Sequence, residues 1–583
     1  LISDECLASA QREDGIYKLD VPTGGAKTLS VMRFALAHAK RHDKKRILYM
    51  APYKSILEQT AKVYKDELMG DDLNKDVFIL EHHSDVVLEE YSDDVGGFPK
   101  YNDEYRTDFR KYLMDNWDAP VILTTMVQFL NTLFSGKKAS IRRCHKLARS
   151  VIIIDEFQSI PSNSICLFNL AINALSKFFG ATIVLCTATQ PPYEESIGFG
   201  SKAIPSVYYE KPADLVGDYS KDEGFKRTKI INRTAGQALK VEGVKALIDD
   251  RMVKLNSLLV IVNTRDAAAL IYHKVIESSS DYEVRILSNN MVPEHRRQVI
   301  DEVREMLKDR EALGRRKLLV ISTQLIEAGV DISFDGVIRS LAGLDSIAQA
   351  AGRCNRDGSG PMGEVWIVRL SRELEKTEKL EDIKTAQETM SALLEDFERN
   401  PEKYGNDLMS EEALRFYFKV YLEKTATKAG YLFEHDMFVK GKKLEALDLL
   451  TINTLGVNAY RGRNQNKIPA HALNQAFYTV GINYVPIEER GVTVLVPWGE
   501  GKDIVTRLNS EEGLFQKKKL LREATRYTIQ IPNYKYRQLK EEGHIVMFQD
   551  DIPVLITGYD KNTGLAVDFE GSNVRPEPEN LLY

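Results

Sequence analysis

The chain has 583 residues, 43% of them hydrophobic and 28% charged, a length that predicts about three or four domains. It contains no apolar run of about 18 residues or more, no signal-peptide pattern and only scattered cysteines, so we expect a cytoplasmic protein without a membrane span. The net charge of −6 excludes a uniformly basic protein but is compatible with a nucleic-acid enzyme whose positive charge is confined to one groove.

A first series of apolar strands begins close to the N-terminus. A strand at 16–21 is followed by a Gly-rich loop and by a helix that starts at Lys27 and ends near Arg41. Because buried strands that alternate with helices are typical of a parallel sheet, residues 1–210 are predicted to form an α/β lobe with a solvated insertion at 71–118. The later strands of this lobe are expected at 46–51, 121–124, 151–154 and 182–186.

The same pattern repeats further along the chain. Residues 211–370 are predicted to form a second α/β lobe, with strands at 257–262, 284–287, 317–322, 337–339 and 364–369. After it, 372–398 is charged and free of Gly and Pro, which predicts a long amphipathic helix within a linker and accessory region at 371–505. Residues 506–583 are expected to form a small α+β domain with a hairpin near 560–564.

The loop after the first strand is a candidate phosphate-binding loop. Its small residues let backbone N–H groups surround a phosphate, and the following helix N-terminus adds partial positive charge. Lys27 is expected to reach the β and γ phosphates of ATP, and the Thr28 hydroxyl to ligate Mg²⁺. Val21 and Ala26 depart from the GxxxxGK[ST] pattern, and Ala26 would cost about 1 kcal/mol if its position requires a positive φ. The alternative is a Gly-rich turn before an ordinary helix. The expected nucleotide contacts in the loop are Pro22, Thr23, Gly24, Gly25, Ala26, Lys27 and Thr28.

Two acids follow the strand at 151–154, in the sequence DEFQ. Asp155 would hold Mg²⁺ together with Thr28, and Glu156 would orient or deprotonate the attacking water. Gln158 belongs to the same catalytic set. The alternative is a buried strand that ends in a polar turn.

Three further motifs complete a set of five in order along the chain: TAT at 187–189, STQLIEAGVD at 322–331 and QAAGRCNR at 349–356. Arg353 and Arg356 suit an arginine finger that acts from the second lobe, although alone they would more simply be a surface salt-bridge pair. Gly329, Asp331 and Gln349 are further expected nucleotide contacts. Together the five motifs predict an ATPase of the P-loop type with two tandem RecA-like lobes.

Over about residues 16–370 this set resembles the superfamily-two helicases. Four details resemble the type I CRISPR helicase–nuclease family in particular: APYKSILEQ at 51–59, EHHS at 81–84, the DEFQ form of the second motif at 155–158, and LDSIAQ at 344–349 leading into GRCNR. The resemblance implies ATP-dependent 3′ to 5′ translocation on single-stranded DNA that an RNA-guided, Cascade-type surveillance complex exposes. It also implies delivery of one strand to an HD nuclease. The His-Asp pairs at 42–43 and 435–436 lack metal-site partners, so we expect that nuclease upstream or on a separate chain.

The segment 136–149 carries six Lys and Arg residues and no acid. It is either a solvated face or a contact for DNA backbone or for a partner. Arg142 and Arg143 are its candidate nucleic-acid contacts. The resemblance implies further contacts at Ser55, Gln59, Thr124, Thr125, Asn263, Thr264, Arg265, His295, Arg296 and Thr323.

Two other functions share these motifs. A general RNA helicase would keep the five ATPase motifs without the LDSIAQ–GRCNR detail. A scaffold that binds ATP without hydrolysing it would fit if Ala26 abolished turnover, but such scaffolds usually lose one of the catalytic residues that this chain retains.

Overall fold

The computed structural model describes residues 1–22, 25–70, 75–83, 112–187, 189–193, 212–219, 224, 226–278, 281–327, 329–356, 358, 360–434, 443–470, 474–487, 491–510, 514–548 and 551–566. The chain divides into two compact units, one of residues 1–225 and 391–488 and the other of residues 226–390 and 489–583. None of the described helices is both long and apolar enough to cross a membrane. The predicted fold class is confirmed, because two parallel-sheet α/β lobes are followed by a smaller domain with a mixed sheet.

The first lobe is built on a parallel sheet. Its strands are β1 (Ile16–Asp20), β2 (Arg46–Ala51), β3 (Ile79–His82), β4 (Val121–Thr125), β5 (Ser150–Asp155), β6 (Thr182–Thr187) and β7 (Ala213–Asp214). The described helices are α1 (Ile2–Ser9), α2 (Lys27–Arg41), α3 (Lys54–Met69), α4 (Lys75–Phe78), α5 (Met126–Phe134), α6 (Lys138–Cys144) and α7 (Ile165–Phe179). The strand order is β3-β4-β2-β5-β6-β1-β7. This order places the carboxyl ends of β1 and β5, with the two ATPase motifs that follow them, on the same edge of the sheet.

Part of the expected insertion at 71–118 belongs to this core. Ile79 and Leu80 are buried in β3, which pairs with β4, and Trp117 is buried beneath the sheet. An acidic composition around two apolar residues concealed this edge strand from sequence reasoning. The sheet also continues past residue 210, because β7 pairs with β1.

The second lobe repeats the architecture with a six-stranded parallel sheet. Its strands are β8 (Thr228–Arg233), β9 (Ser257–Ile261), β10 (Glu283–Leu287), β11 (Leu318–Ser322), β12 (Gly336–Ser340) and β13 (Gly363–Val368), in the order β10-β11-β9-β12-β13-β8. Its helices are α8 (Val241–Lys254), α9 (Arg265–Glu277), α10 (Pro293–Lys308), α11 (Arg310–Arg316) and α12 (Leu344–Ala351).

The accessory region is divided between the two units. Its elements are α13 (Glu381–Arg399), α14 (Glu411–Thr425), β14 (Leu432–Glu434), β15 (Lys443–Glu445), α15 (Ala446–Leu450), α16 (Thr454–Arg463) and α17 (Phe477–Asn483). The long helix expected from 372 begins at Glu381, because residues 371–375 form a turn that buries Glu375 in the second lobe. Residues 391–488 join the unit of the first lobe, whose core they extend with Tyr431, Leu447 and Tyr484.

The C-terminal domain forms a four-stranded mixed sheet. Its elements are β16 (Gly491–Leu495), α18 (Gly501–Ser510), α19 (Leu514–Ala524), β17 (Thr528–Pro532), α20 (Asn533–Glu541), β18 (Ile545–Phe548), β19 (Ile552–Leu555), β20 (Tyr559–Asp560) and β21 (Gly564–Leu565). The sheet order is β17-β16-β19-β18, so this domain begins before residue 506. The antiparallel pair β20 and β21 confirms the predicted hairpin.

A buried ion pair fixes the loops at the carboxyl edge of the second sheet. The Glu327 carboxylate lies 2.8 Å from Nε of Arg339, and Ser346 donates to Glu327 at 2.7 Å. Burial raises the pKa of Glu327, while Arg339 and Ser346 act in the opposite direction. Since these residues come from the loop after β11, from β12 and from α12, the pair ties three segments together.

We therefore expect Glu327→Gln to destabilise the second lobe by about 3 kcal/mol or more, because Arg339 would remain buried without its countercharge. The matched control is Asp301→Asn, which removes the partner of Arg304 in an exposed pair on α10. That change should cost about 0.5 kcal/mol or less. Urea unfolding followed by tryptophan fluorescence measures both, and equal unfolding midpoints would contradict the assignment.

Candidate functional site

The loop between β1 and α2 is shaped by Gly25. A Cβ added there would lie 2.2 Å from Cγ1 of Val21 and 3.1 Å from the carbonyl oxygen of Pro22. Only glycine fits, and its N–H donates to that same carbonyl at 3.1 Å. The loop is therefore a tight turn that opens directly onto the N-terminus of α2. Thr23 and Gly24 lie outside the described residues.

Ala26 adopts the left-handed conformation, with φ 53° and ψ 34°. This is the backbone state that glycine adopts freely and that costs other residues about 1 kcal/mol. Position 26 therefore requires the positive φ on which the expected cost of Ala26 depended.

The Lys27 ammonium group is buried at the start of α2. Its Nζ lies 3.9 Å from Oε1 of Glu156 and has no hydrogen-bond acceptor among the described residues. Burial alone lowers the pKa of Lys27, but Glu156 and Asp155 outweigh that effect and hold the pKa above its usual value. A permanently charged ammonium without an acceptor, beside a glycine-constrained turn, fits the phosphate oxygens of a nucleotide.

The two acids at the end of β5, Asp155 and Glu156, are held by specific partners. Tyr49 on β2 donates its hydroxyl to Oδ2 of Asp155 at 2.5 Å, and the N–H of Glu156 donates to Oδ1 at 3.1 Å. Burial and the neighbouring Glu156 raise the pKa of Asp155. The acids thus lie at the carboxyl end of a buried strand, within reach of the loop that holds Lys27.

The Gln158 side chain forms a hydrogen bond with the Glu156 carboxylate. Its Nε2 donates to Oε2 of Glu156 at 2.5 Å, while Glu156 itself has a left-handed backbone with φ 49°. The Ser159 hydroxyl donates to the Glu156 carbonyl at 2.7 Å. This short chain of contacts fixes the direction of the carboxylate.

Sequence reasoning missed the tyrosines behind these motifs. The Tyr64 hydroxyl donates to the backbone carbonyl of Thr28 at 3.0 Å, and its ring packs edge-on against Tyr49 at 5.7 Å. The tyrosine pair therefore connects Thr28 at the start of α2 with Asp155 at the end of β5. These are the two residues expected to hold Mg²⁺. A tyrosine inside the apolar strand RILYMA was the available signal, since a buried hydroxyl needs a partner.

The two arginines of the second lobe occupy different environments. Arg353 is buried and donates to the carbonyls of Val330 and Glu327, the latter at 2.7 Å. Arg356 is partly exposed, and its Nε lies 2.9 Å from Oδ1 of Asp331. Of the two guanidinium groups, that of Arg356 is therefore the more accessible, and the arginine-finger role stays a prediction. Gly329 has φ 75° in the same loop, and Gln349 is half-buried on α12.

Several expected nucleic-acid contacts in the first lobe are internal instead. The Thr124 hydroxyl is fully buried and donates to the His82 carbonyl at 2.9 Å, and Thr125 caps α5. Arg143 is buried over the Trp117 ring, with Nη1 3.0 Å from Nε2 of His82. Burial and Arg143 together lower the pKa of His82 to about 3. Exposure is retained at Ser55 and Gln59 on one face of α3, and at Arg142 on α6.

The second lobe shows the same division. Asn263 is buried against Glu375, to which its Nδ2 donates at 2.9 Å, and Thr264 caps α9. His295 is stacked on Trp498 at 4.5 Å and bonded to the Tyr559 hydroxyl at 3.0 Å, so it docks the C-terminal domain. The remaining candidates in this lobe are Arg265, which reaches the Gln530 carbonyl, Arg296, which donates to Asn289, and Thr323, which is buried.

The sequence of the chain is similar to those of known helicases. A family model described as DEAD/DEAH box helicase matches residues 4–196, and one described as CRISPR-associated nuclease/helicase Cas3, C-terminal, matches residues 254–359. The curated Cas3 of Haloferax volcanii is 23% identical over 457 residues, which cover 62% of this chain and 47% of that protein. The chain spans less than half the length of the curated Cas3 proteins of Haloferax volcanii and Methanothermobacter thermautotrophicus.

Solved structures carry the same fold at low sequence identity. The crystal structure of T. fusca Cas3 with ATP has a TM-score of 0.62 at 15% identity and covers 94% of this chain and 67% of that one. A chain in a CRISPR RNA-guided surveillance complex, captured before nicking, has a TM-score of 0.52 at 14% identity and covers 93% and 64%. By sequence the first lobe is similar to the DEAD/DEAH box helicases. The second lobe is similar to the C-terminal region of the CRISPR-associated nuclease/helicase Cas3.

Because the backbone at Ala26 is left-handed, we expect an Ala-to-Gly substitution there to change the free energy of unfolding in the opposite direction from the same substitution inside α2. Ala26→Gly should stabilise the protein by about 1 kcal/mol, because glycine adopts this conformation without steric cost. Ala37→Gly, in the interior of the same helix, should destabilise it by about 1 kcal/mol. Urea unfolding followed by circular dichroism compares the two, and a fall in stability for both variants would show that the position bears no strain.

Proposed function

We propose that this chain hydrolyses ATP to translocate 3′ to 5′ along single-stranded DNA during RNA-guided CRISPR interference. The observation that carries the proposal is the buried Lys27 ammonium, which lacks an acceptor and lies beside Asp155 and Glu156 at a glycine-constrained loop. A general RNA helicase is disfavoured by the match of the second lobe to the Cas3 family model.

In this proposal the residues of the first lobe divide the chemistry among them. The loop 22–28 and Lys27 bind the phosphates of ATP, and Thr28 and Asp155 hold Mg²⁺. The cation supplies charge neutralisation at the phosphates when it is bound. Glu156, directed by Gln158, orients the attacking water and accepts its proton. Tyr49 keeps Asp155 in place by donating to the carboxylate oxygen that faces it.

The second lobe supplies the cationic and loop contacts. We assign Arg356 the role of the arginine that stabilises charge on the transferring phosphoryl group. Its guanidinium is partly exposed, and its ion pair among the described residues is with the exposed carboxylate of Asp331. Arg353 positions the loop that carries Gly329 and Asp331, since it bonds two carbonyls of that loop. Gln349 is retained as a nucleotide contact.

Nucleic-acid contacts are proposed where side chains remain accessible. Ser55, Gln59 and Arg142 meet that condition in the first lobe. Arg143, Thr124, Asn263 and His295 instead hold the fold, because their polar atoms bond to buried partners. Thr125, Thr264, Arg265, Arg296 and Thr323 remain proposals by resemblance alone.

The partners follow from the relatives. Because a fold relative is part of an RNA-guided surveillance complex, we propose that such a complex recruits this chain. The curated relatives are named nuclease/helicases, whereas the described residues contain no group of three or more His, Cys, Asp or Glu arranged to hold a metal. We propose that the displaced strand passes to an HD nuclease that these residues do not provide. The His-Asp pair at 435–436 lies outside the described residues.

Two substitutions test the ATP site. Lys27→Ala should abolish hydrolysis and weaken nucleotide binding, because it removes the phosphate-binding ammonium. Glu156→Gln should preserve nucleotide binding and slow turnover by about a hundredfold or more, since it removes the proton acceptor. Turnover is measured with single-stranded DNA, with RNA and without nucleic acid. Parental turnover by Glu156→Gln would overturn its role, and stronger stimulation by RNA than by DNA would overturn the substrate.

The two arginines should respond differently. Arg356→Ala should leave unfolding and nucleotide binding unchanged and lower DNA-stimulated turnover by about a thousandfold, the scale of a missing arginine finger. Arg353→Ala should lower stability, because the carbonyls of Val330 and Glu327 lose their donor. Arg304→Ala, which removes an arginine from a solvent-accessible ion pair on α10, is the control for a surface arginine. Normal stimulated turnover by Arg356→Ala would contradict the assignment.

A further inference from the structure

The accessory region contains an acid-free stretch in an otherwise acidic protein. Between Asp448 and Glu488 the sequence has no Asp or Glu, although these residues number 85 among 583. It carries Arg461, Arg463 and Lys467, all of them exposed. Such a surface attracts a polyanion.

This stretch packs directly against the basic segment of the first lobe. The Gly136 N–H donates to the carbonyl oxygen of Gly481 on α17 at 2.8 Å. A Cβ on Gly481 would lie 2.7 Å from the Gly136 nitrogen, so two glycines are needed for the backbones to touch. The rings of Phe134 and Tyr484 pack beside this contact at 5.3 Å. Lys137 and Lys138, which follow Gly136, therefore lie next to α17.

The outer face of α17 is aromatic and apolar. Phe477 is 67% exposed, Tyr478 78% and Ile482 55%. Lys137 and Lys138 are also exposed, and neither forms an ion pair with another described residue. Exposed rings beside unneutralised lysines are the combination that single-strand-binding proteins use, with bases stacked on rings and phosphates held by cations.

Helix α16 is fixed beside the same surface. Its capping residue Asn453 donates to the Asn474 carbonyl at 2.5 Å, and the Ala476 N–H just before α17 donates to the Leu449 carbonyl at 2.9 Å. None of the ten residues of α16 is buried. The helix thus presents Tyr460, Arg461 and Arg463 to solvent and contributes little to the core.

We propose that α17, the loop 136–138 and α16 form a binding surface for single-stranded DNA on the unit of the first lobe. The surface binds without reading sequence, because rings stack on any base and cations contact only phosphates. It rests on the proposed translocase function and extends it to a region outside the ATPase motifs. The absence of acid across the whole stretch favours DNA over a protein partner.

The test measures binding of a fluorescent oligothymidine by anisotropy at several salt concentrations, without nucleotide. Phe477→Ala combined with Tyr478→Ala should weaken binding by about tenfold or more, since each stacked base contributes about 1–3 kcal/mol. Lys137→Gln combined with Lys138→Gln should reduce the salt slope by about 1.4, or about 0.7 per phosphate contact. Tyr478→Phe, which keeps the ring, should retain near-parental affinity.

The matched control is Phe178→Ala, at the end of α7, where the side chain is 81% exposed. It should leave DNA binding unchanged, as should basal ATP turnover in every variant. Unchanged affinity and salt slope in the α17 and lysine variants would overturn the surface and leave the proposed function intact. If the α17 and lysine variants lost association with a protein partner but still bound DNA, that result would also overturn the proposed DNA-binding surface. A parent protein that binds DNA through this surface yet hydrolyses no ATP would overturn the function alone.

Discussion

The first lobe depends on one constraint, the burial of a charged lysine at the point where a strand, a turn and a helix meet. An ammonium group out of contact with water is costly unless opposite charge lies close by, and Glu156 and Asp155 supply that charge. Those carboxylates are in turn fixed by Tyr49, by Gln158 and by their own backbone. The site is therefore built before any nucleotide arrives, with a missing hydrogen-bond acceptor as its main unsatisfied feature.

The second lobe also contains buried charges, but there they are paired within the protein and stabilise loops. Its buried charges, Glu327 with Arg339 and Glu375 with Asn263, are satisfied by protein partners. They hold the loops after β9, β11 and β12 in one arrangement, and Asp331 in the loop after β11 pairs with Arg356. The first lobe thus contains a buried charge, on Lys27, that lacks a hydrogen-bond acceptor among the described residues. The buried charges of the second lobe have protein partners and stabilise its loops.

The sequence was sufficient for the central strands of both sheets and for the order of the motifs, because apolar periodicity and motif spacing are local properties. It missed the edge strands β3, β7 and β8, in each of which at most two residues are buried. It was insufficient for the direction of side chains. Arg142 and Arg143 are neighbours in one basic run, yet successive helical positions differ by about 100° and only Arg142 faces solvent. His295 and Asn263 carry polar groups that suit nucleic acid, but their partners Tyr559 and Glu375, each more than 100 positions away, occupy those groups. Such pairings are long-range and leave no local pattern.

The order of the chain has a consequence for synthesis on the ribosome. The unit that contains the first lobe is completed by residues 391–488, which supply Leu422, Leu447 and Tyr484 to its core. At about 5–20 residues per second, those side chains emerge many seconds after the first sheet. The second lobe, residues 226–390, can form in the interval, with the later part of α13 still to come. Apolar surface on the nascent first lobe therefore stays uncovered while another domain folds, a period in which aggregation competes with folding. Delayed closure of a core by distant residues also raises contact order, so this chain should fold slowly for its size.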